Sequence, residues 1–590
     1  MLISSVEQLQ SVVAELAIKP AVAMDLETTG LQPAEGSQIV VASLHHPDVG
    51  TFCVPFRAAG FITNLPEEAV KRFQTLVDNT EIVGHNFGSF DMNFLRAEGV
   101  DVSSIRIWDT LLQTLLWNDS LPRFGLRRIM SDQFGVKEAE DLMFPITDVY
   151  KVPLDVLIPR AETDAVLTWN LRQYIEPKIL ERGDPYPELV ARDNQWAKFL
   201  GDLGWAGIAF DEHSAETLIQ RYRRDAFDIE QAIWERWKPG LKLNSPTQLL
   251  KFFQGKHGVT LPDTEDWVLR MAAKEKPSMH NDVEAVLEWR RLDKAIRTWM
   301  VPWLKSSRQG NGRVRGGWGL DASNEKGKAS GMTRTLRLRC SKPNLQAVPT
   351  VDDRYQLRYL FKADGRNELV GYDQSQMEVR MAAHYANEVR MLEELRKPKG
   401  DVHQMVADDV KLDRYVAKRI NLGTIYRIGR SHLAEVLTKE RLEIVAESET
   451  ERWLSAYRRR YPGLVTVARR AEAVIQRRGY LRLWNGRRVH FNPDLDDPYK
   501  ALNLLIQTGV SEILKSSVFT LQDFVKERGL RTKIVLCVYD EIITETPPEE
   551  LEYIPDIKRR LESIGDWRCP LKVETWHRER WSNRIPKELE

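Results

Sequence analysis

The segment Glu368–Tyr385 limits the possible folds of this chain more than any other stretch. Its first residues form an apolar run that predicts a buried strand, and Met381–Tyr385 predict a helix. Asp373 lies between the two elements. A carboxylate at the end of a buried strand suits a divalent metal ion, which prefers oxygen ligands. The same residue could instead cap the helix, so the choice depends on the rest of the chain.

A second pair of acids interrupts an apolar segment much later in the chain. Asp540 and Glu541 divide the run Lys533–Glu545 into two strand-like halves, which predicts a hairpin with both carboxylates at its tip. Charges in such a place are costly to bury unless a cation neutralises them. The hairpin is therefore a second candidate for metal binding.

One helix-forming segment places cations beside apolar and aromatic residues on a single face. The ridge of this predicted helix is formed by residues that recur every four positions: Arg414, Lys418, Leu422 and Tyr426. Their order suits a nucleoside triphosphate that lies along the helix with its phosphates at the cations. A plain amphipathic helix would not need both cations on that face.

Length and composition bound the class of protein without choosing its function. The 590 residues suggest roughly three to five domains. Lysine plus arginine equals aspartate plus glutamate, at 85 each, and a nucleic-acid enzyme can still be neutral overall. The four cysteines form no CxxC pair, so we expect neither a zinc site nor a disulfide framework, as in a reducing compartment. The sequence also shows no signal-peptide pattern and no apolar stretch of membrane-spanning length.

Four acids are spread over the first third of the chain. Asp25 and Glu27 share one face of a predicted strand, and Asp91 follows a second strand and a turn. Asp164 is predicted to lie in the first turn of a helix that begins near Ala161. Neighbouring acids repel each other unless a cation lies between them, although acids also alternate on solvated strand faces.

This order of acids resembles the DEDD 3′–5′ exonuclease family over about residues 1–185, with N-x-x-x-F-D after D-x-E as the more specific motif. The resemblance implies two metal ions that activate a water and stabilise the cleaved phosphate, held by Asp25, Glu27, Asp91 and Asp164. The family usually has a Tyr four residues, or a His five residues, before the last Asp, where this chain has Arg160 and Pro159. A working proofreading centre and a vestigial exonuclease fold therefore both stay open.

The middle of the chain predicts a helical region that carries basic residues. Asn244 or Ser245 is expected to cap a helix that starts near Pro246. A long helical pattern follows from about Asn281 to Leu304, with an apolar seam along one side. Its neighbouring face carries three cations that either stay solvated or contact DNA phosphates without reading sequence: Arg290, Lys294 and Arg297.

A stretch of alternating cations and apolar residues precedes Asp373. Thr333–Gln346 has the pattern of an exposed strand, and Pro343 with Asn344 then turns the chain. The pattern on its own also fits an edge strand that arginines keep soluble.

Residues 190–590 resemble the polymerase region of family A DNA polymerases, of the Klenow-like and phage replicative type. The resemblance rests on four ordered motifs: YDQSQMEVR at Tyr372–Arg380, R-x-x-x-K-x-x-N-L-G-x-x-Y at Arg414–Tyr426, N-x-x-x-Q at Asn503–Gln507 and Y-D-E at Tyr539–Glu541. It implies an α/β plus α+β protein, in which an RNase H-like exonuclease domain precedes a right-hand polymerase with an antiparallel palm sheet and helical fingers and thumb. The implied domains are the exonuclease (1–185), palm entry and helical thumb (186–335), first part of the palm (336–400), fingers (401–495) and second part of the palm (496–590).

The resemblance implies a role for each matching residue. Asp373 and Asp540 would hold two Mg²⁺ ions, which Mn²⁺ can replace, and Glu541 would support the metal site or the primer end. Lys418 would also donate a proton to pyrophosphate, while Glu378 and Tyr426 would exclude a ribose 2′-hydroxyl. The residues implied to bind the nucleotide are Gln376, Glu378, His403, Arg414, Lys418, Leu422 and Tyr426. The predicted DNA contacts are Arg337, Asn344, Asn503, Gln507, Arg290, Lys294 and Arg297.

Three positions depart from the family pattern. Leu422 stands where Phe or Tyr is usual, Arg427 stands where Gly is usual, and Tyr539 replaces the common His beside the catalytic Asp. None of the three removes a metal ligand, so we expect activity to persist while fidelity and sugar selection change.

The sequence thus predicts a template-directed DNA polymerase with an N-terminal proofreading exonuclease, no flap-nuclease domain and a phage-like replicative role. Its expected partners are primer–template DNA, deoxynucleoside triphosphates and replisome proteins such as a helicase and a single-strand binding protein. We recognise no thumb insertion for a processivity factor. We expect a monomer in the cytoplasm, or in the host cytoplasm if a phage encodes it. Two alternatives are an RNA polymerase of the same architecture, which Glu378 argues against, and a non-catalytic DNA-binding accessory subunit, which the retained acids argue against.

Overall fold

The computed structural model describes residues 1–59, 64–137, 149–320, 334–350 and 354–589. Thr333, the first residue of the predicted alternating strand, lies outside these ranges. Within them, no helix is both long and apolar enough to cross a membrane.

The N-terminal part is built on a five-stranded mixed sheet in the order β3-β2-β1-β4-β5. Its strands are β1 (Ala21–Thr28), β2 (Ile39–His46), β3 (Gly50–Pro55), β4 (Glu81–Gly84) and β5 (Arg106–Asp109). The pairs β1–β2 and β2–β3 are antiparallel, whereas β1–β4 and β4–β5 are parallel. The helices of this part are α1 (Val6–Ala17), α2 (Gln74–Asn79), α3 (Asp91–Ala97), α4 (Thr110–Trp117), α5 (Leu126–Phe134) and α6 (Leu154–Leu180). The predicted strand at Asp25 and Glu27 is confirmed as β1.

Helix α6 places Asp164 differently from the sequence prediction. The helix begins at Leu154 and continues through Pro159, so Asp164 lies in the helix interior and not in a first turn. Proline removes one hydrogen-bond donor from the ladder. The helix persists because it packs along β1 and β2, and such tertiary packing outweighs local propensity.

The middle of the chain is helical, as predicted, and its long helical segment contains a π-helical turn. The helices are α7 (Tyr186–Ala206), α8 (Glu212–Arg236), α9 (Pro246–His257), α10 (Asp266–Glu275), α11 (His280–Lys294) and α12 (Val301–Gln309). A π-helical turn over Ala295–Met300 separates α11 from α12, and the backbone N–H of Val301 donates to the carbonyl of Ile296. Pro302 lacks an N–H group, so a regular α-helix would also lose one backbone hydrogen bond at this position.

A helix cap and an apolar seam were also predicted for this region. Ser245, and not Asn244, caps α9, because its hydroxyl accepts a hydrogen bond from the backbone of Gln248 and Pro246 is the first helical residue. The apolar seam is real, since most of its members are buried: Trp289, Leu292, Ile296 and Trp303.

The C-terminal half centres on a four-stranded antiparallel sheet in the order β14-β15-β11-β16. The strands from Ile208 onward are β6 (Ile208–Phe210), β7 (Arg313–Val314), β8 (Gly317–Gly319), β9 (Arg339–Ser341), β10 (Phe361–Lys362), β11 (Glu368–Gln374), β12 (Tyr480–Arg482), β13 (Arg488–His490), β14 (Lys533–Val538), β15 (Glu541–Thr546) and β16 (Val573–Arg578). The accompanying helices are α13 (Met377–Ala386), α14 (Val389–Arg396), α15 (Val402–Val410), α16 (Arg414–Ile425), α17 (Arg430–Arg441), α18 (Glu447–Arg460), α19 (Pro462–Arg478), α20 (Ala501–Arg528) and α21 (Ile554–Glu562).

The predicted alternating strand is mostly wrong. Only β9 is extended within the described part of Thr333–Gln346, and Leu336 has a φ of 52°, outside the extended region. Arg334 is held by the carboxylate of Asp496, with 3.0 Å between Nε and Oδ1. Long-range contacts of the arginines therefore decide the local backbone, and the alternation of residue types does not.

The N-terminal and C-terminal parts meet closely along α7. A Cβ atom on Gly201 would lie 2.0 Å from the carbonyl oxygen of Gly88, so only glycine allows this approach. A buried cluster of four charges joins α7 to α20 and to the turn before β13: Asp193, Arg487, Glu512 and Lys515. The largest hydrophobic core runs from the N-terminal sheet to the C-terminal sheet without interruption.

Candidate functional site

The two acidic motifs of the C-terminal half meet at one edge of the four-stranded sheet. Asp373 lies near the end of β11 and pairs in register with Glu541 at the start of β15. Asp540 occupies the turn between β14 and β15, and its carbonyl accepts a hydrogen bond from the backbone of Gln374 at 3.4 Å. The predicted hairpin with acids at its tip is therefore present, and it lies against the first motif.

This acidic edge has the properties of a divalent metal site. Burial, with the nearby charge of Asp373 as the second cause, raises the pKa of Asp540 to about 7. Burial also raises the pKa of Asp373 and of Glu541, and Trp576 donates a hydrogen bond of 2.6 Å to Glu541. Within the described ranges neither Asp373 nor Asp540 forms an ion pair with a basic side chain. Adjacent carboxylates of this kind fit Mg²⁺ or Mn²⁺, which prefer oxygen ligands and offset the repulsion.

The cationic ridge of α16 ends at Tyr426, which donates a hydrogen bond to Glu378 in the helix that follows Asp373. Arg414 donates to the carboxylate of Asp401 at 2.7 Å, whereas Lys418 is exposed and has no hydrogen-bond or ion-pair partner among the described residues. Leu422 is half-buried against the helical core behind the ridge. The structure thus leaves at least one cation of the ridge available to an anionic ligand.

His403 lies in the first turn of α15, near both cations of the ridge. Burial lowers its pKa to about 4, although the nearby Asp401 opposes this shift. Its Nδ1 lies 3.2 Å from the side-chain nitrogen of Asn421, and Tyr457 donates a hydrogen bond of 2.6 Å to the oxygen of the same amide. The ring is therefore held as a neutral acceptor. Asn421 was part of the recognised motif, but its positioning role and that of Tyr457 were not anticipated.

Glu378 connects the first motif to the ridge. Its carboxylate accepts hydrogen bonds from the hydroxyl of Tyr426 and from the guanidinium of Arg337. Gln507 of α20 lies close to the Tyr426 hydroxyl. Glu378, Tyr426 and Arg337 come from three separate segments and form one hydrogen-bonded group. Their roles at the sugar and the minor groove had been assigned on resemblance alone.

The remaining predicted nucleotide and DNA contacts line the same region. Gln376 precedes α13 with a φ of 55°, and its amide nitrogen donates to the carbonyl of Gly400 at 3.3 Å. The amide oxygens of Gln376 and Asn503 are buried without a hydrogen-bond partner in the described part of the chain. Asn344 caps a short turn by accepting a hydrogen bond from the backbone of Gln346 at 3.0 Å. Unsatisfied buried amides are costly, so each of these two oxygens can accept a hydrogen bond from a ligand or a water molecule.

The three basic residues predicted along the thumb differ in what they can reach. Arg290 donates to the carbonyl groups of Leu243 (3.2 Å) and Thr264 (2.5 Å), so the protein itself engages its guanidinium. Lys294 lies over the ring of Trp299, at 5.1 Å from the centroid. Arg297 is 73% exposed and pairs only with Asp293 among the described residues. Arg297 is therefore best placed to meet a DNA phosphate, and Arg290 has a structural use.

A large cleft connects the two parts of the molecule. Its volume is about 1620 Å³, and it runs from the N-terminal part across the thumb base to Tyr539. Aromatic and basic side chains share its walls: Phe90, Trp205, Trp299, Arg337, Arg339 and Lys342. Positive charge and aromatic faces together are typical of a surface for nucleic acid.

Two of the residues that depart from the family pattern adopt unusual backbone conformations. Arg427 has a φ of 55° and Tyr539 a φ of 57°, in the left-handed region that favours glycine. Arg427 forms an ion pair with Glu472, which holds its side chain to α19. Tyr539 is 63% exposed in the turn before Asp540.

The N-terminal acids gather into a second centre. Ligand oxygens of Asp25, Glu27 and Asp164 all lie within 4.8 Å of one another. Asp91 is buried beside them, and one of its oxygens accepts a hydrogen bond from the backbone of Leu26 at 3.1 Å. Burial raises the pKa of Asp25 well above its usual range, with Asp164 and Asp91 raising it further, and burial likewise raises the pKa of Asp91. By type and spacing these oxygens fit a divalent ion.

Two arginines also contact this second centre. Arg127 of α5 forms a fork with Asp164, with distances of 2.7 Å from Nε to Oδ1 and 2.6 Å from Nη2 to Oδ2. The Nε of Arg160 lies 3.5 Å from a carboxylate oxygen of Glu27. The departure at Arg160 was visible in the sequence. Arg127 was missed, because nothing in its local pattern distinguishes it from the exposed Arg128.

Comparison with known proteins agrees with both halves of the structure. Residues 212–583 match the family model of DNA polymerase family A, and residues 2–180 match the family model of the 3′–5′ exonuclease. The chain is 22% identical to DNA polymerase DpoZ of Acinetobacter phage SH-Ab 15497, over 95% of this chain and 96% of the phage protein. It is 25% identical to DNA polymerase I of Chloroflexus aurantiacus, over 98% of this chain and 63% of the bacterial protein.

A solved structure shares the overall fold. It is described as the POL domain of Pol1 from M. smegmatis in complex with DNA primer-template and dNTP. The TM-score is 0.77 at 20% identity, and the match covers 97% of this chain and 98% of that chain. The predicted fold class and the two recognised families are thereby confirmed.

Proposed function

The chain belongs to DNA polymerase family A and carries a 3′–5′ exonuclease domain, and on this premise we propose that it extends a primer 3′ end on a DNA template with deoxynucleoside triphosphates. One observation carries the proposal. Asp373 and Asp540 lie at one edge of the same sheet, without an ion-pair partner among the described residues, and Tyr426 at the end of the cationic ridge donates a hydrogen bond to Glu378 in the helix that follows Asp373. A site that combines acids for metal ions with cations for phosphates suits nucleotidyl transfer.

Each side chain of the C-terminal site has a proposed task. Asp373 and Asp540 would hold two Mg²⁺ ions, which supply Lewis acidity at the primer hydroxyl and at the leaving pyrophosphate. Lys418 and Arg414 bind the triphosphate, and Lys418 can donate a proton to pyrophosphate. His403, held neutral by Asn421, bonds to a phosphate oxygen through its remaining ring nitrogen. Glu378 and Tyr426 fill the space that a 2′-hydroxyl would require.

The N-terminal site is proposed to remove mismatched 3′ ends. Asp25, Glu27 and Asp164 offer oxygen ligands at a spacing suited to metal-assisted hydrolysis of a phosphodiester. The similarity to a phage polymerase along almost its whole length supports a replicative role. The domain boundaries at 185, 335, 400 and 495, the replisome partners, the monomeric state and the cytoplasmic location stay predictions.

Primer extension on a defined template tests the proposal. The full chain, supplied with Mg²⁺, should add only the complementary deoxynucleotide to a DNA primer, and it should add ribonucleotides far more slowly. Incorporation that is independent of the template base, or equal use of both sugars, would contradict the proposed activity.

A further inference from the structure

Arg127 holds both carboxylate oxygens of Asp164. The two charge-assisted hydrogen bonds are parallel, at 2.7 and 2.6 Å, and both side chains are largely buried, with 10% and 13% of their surface exposed. A bidentate Arg–carboxylate pair is among the stronger polar contacts in proteins. The same two oxygens are the ones that Asp164 would offer to a metal ion.

Arg160 reaches the centre at a different acid. It lies one helical turn before Asp164 on α6, and its Nε is 3.5 Å from Oε1 of Glu27. The two arginines are also linked, since Nη2 of Arg127 lies 3.5 Å from the backbone carbonyl of Arg160. Two of the three clustered acids therefore carry a guanidinium from the protein itself.

The C-terminal centre provides an internal comparison. Asp373 and Asp540 are also buried acids at a candidate metal site, yet they form no ion pair within the described ranges. Direct ion pairing with arginine therefore distinguishes the N-terminal centre from Asp373 and Asp540, the two acids of the C-terminal candidate metal site. Buried acids outside both centres, such as Asp193, are also paired with cations.

We propose that Arg127 and Arg160 act as intrinsic counter-cations that compete with divalent metal ions for Asp164 and Glu27. This inference rests on the proposed exonuclease function of the site. Arginine does not lose its proton at any working pH, so only displacement of the side chains can free the acids. Metal binding at the N-terminal centre is then weaker than its acids alone would give. Removal of 3′ ends consequently needs a higher metal concentration than it would without the two arginines.

Direct Mn²⁺ binding tests the competition without relying on activity. Free Mn²⁺ is measured by electron paramagnetic resonance during titration of the full-length protein in an Asp373→Asn/Asp540→Asn background, which removes the C-terminal ligands. Arg127→Gln/Arg160→Gln should bind Mn²⁺ about tenfold or more tightly than the parent, because a strong charge-assisted contact no longer competes. Arg128→Gln, which removes an exposed cation next to Arg127, should leave the affinity unchanged. Asp25→Ala/Glu27→Ala should abolish the binding.

Equal or weaker Mn²⁺ binding by the double glutamine variant would overturn the proposal and would assign both arginines to positioning the acids. If Arg127→Gln does not fold, as judged by thermal melting, Arg160→Gln alone decides between the two roles, with a smaller increase in affinity expected. The proposed exonuclease function is tested separately by degradation of a mismatched 3′ end. A parent protein that degrades no 3′ end at any metal concentration refutes that function, whereas an unchanged Mn²⁺ affinity in the arginine variants refutes only the competition.

Discussion

The carboxylate of Glu378 accepts a hydrogen bond from the hydroxyl of Tyr426. The first residue belongs to the helix that follows Asp373, and the second ends the cationic ridge of α16. Arg337 fixes the same carboxylate from a third segment. The geometry gives a bulky, oriented group beside the acidic edge of the sheet.

Removing the Glu378 side chain should relax sugar selection. Glu378→Ala opens space beside the incoming sugar, so the ratio of kcat/KM for deoxyribonucleotides over ribonucleotides should fall about tenfold or more. Tyr426→Phe, which keeps the ring, should cause a smaller fall. Glu393→Ala, an exposed acid on α14, is the matched control. An unchanged ratio in Glu378→Ala would refute the assignment.

Lys418 should contribute more to kcat/KM for deoxynucleotides than Arg419, the next residue on α16, which lies on another face of the helix. Lys418→Ala removes an exposed cation of the ridge, and kcat/KM for deoxynucleotides should fall roughly 10- to 100-fold with the loss of a charge-assisted contact. Arg419→Ala removes the ion pair with Glu440 and a cation–π contact with the exposed Tyr415, and it should have little effect on kcat/KM. Equal losses in both variants would indicate general damage to α16.

The buried His403 should make stability depend on pH in a defined window. Its folded pKa is lowered from 6.5 to about 4, so between these values the unfolded chain binds more protons. The free energy of unfolding should therefore rise with pH across this window and level off above it. Chemical denaturation at several pH values should show a shallower rise in His403→Gln, whereas His213→Gln, an exposed control, should keep the parental slope. A rise as steep in His403→Gln as in the parent would mean that another group titrates.

The buried charge cluster on α7 should be sensitive to loss of one member. Asp193 contacts Arg487 at 2.8 Å and Lys515 at 2.7 Å, and all these groups are almost fully buried. Asp193→Ala leaves two buried cations underpaired and should lower the free energy of unfolding by about 3–5 kcal/mol. Glu188→Ala on the exposed side of α7 should change it by less than about 0.5 kcal/mol. A small decrease in the free energy of unfolding of Asp193→Ala would mean that water hydrates the remaining charges of the cluster.

The sequence predicted those features that short-range patterns determine. The strand before Asp373, the hairpin at Asp540 and the ridge of α16 follow from apolar periodicity and acid placement, and all three are found. The long helical pattern of the middle region was also right, although its π-turn was not foreseen. The strand predicted at Thr333–Gln346 was mostly wrong, and there Arg334 forms an ion pair with Asp496, 162 positions away, which no local window can detect.

The same limit applies to the candidate sites. The candidate metal-binding acids stand in recognisable motifs, so they could be named before the fold was known. Arg127 and Tyr457 could not be named in this way. Arg127 matters because folding brings it to Asp164, and Tyr457 matters because folding brings it to Asn421.

The central claim is that Asp373 and Asp540 form the catalytic metal centre of DNA synthesis. Single-turnover incorporation of one correct deoxynucleotide into a primer, measured by rapid quench, tests it most directly. Asp373→Asn and Asp540→Asn should each slow the step about a thousandfold or more while primer–template binding persists. Glu579→Gln, at an exposed acid just after β16, should retain the parental rate. A parental rate in either aspartate variant would contradict the account.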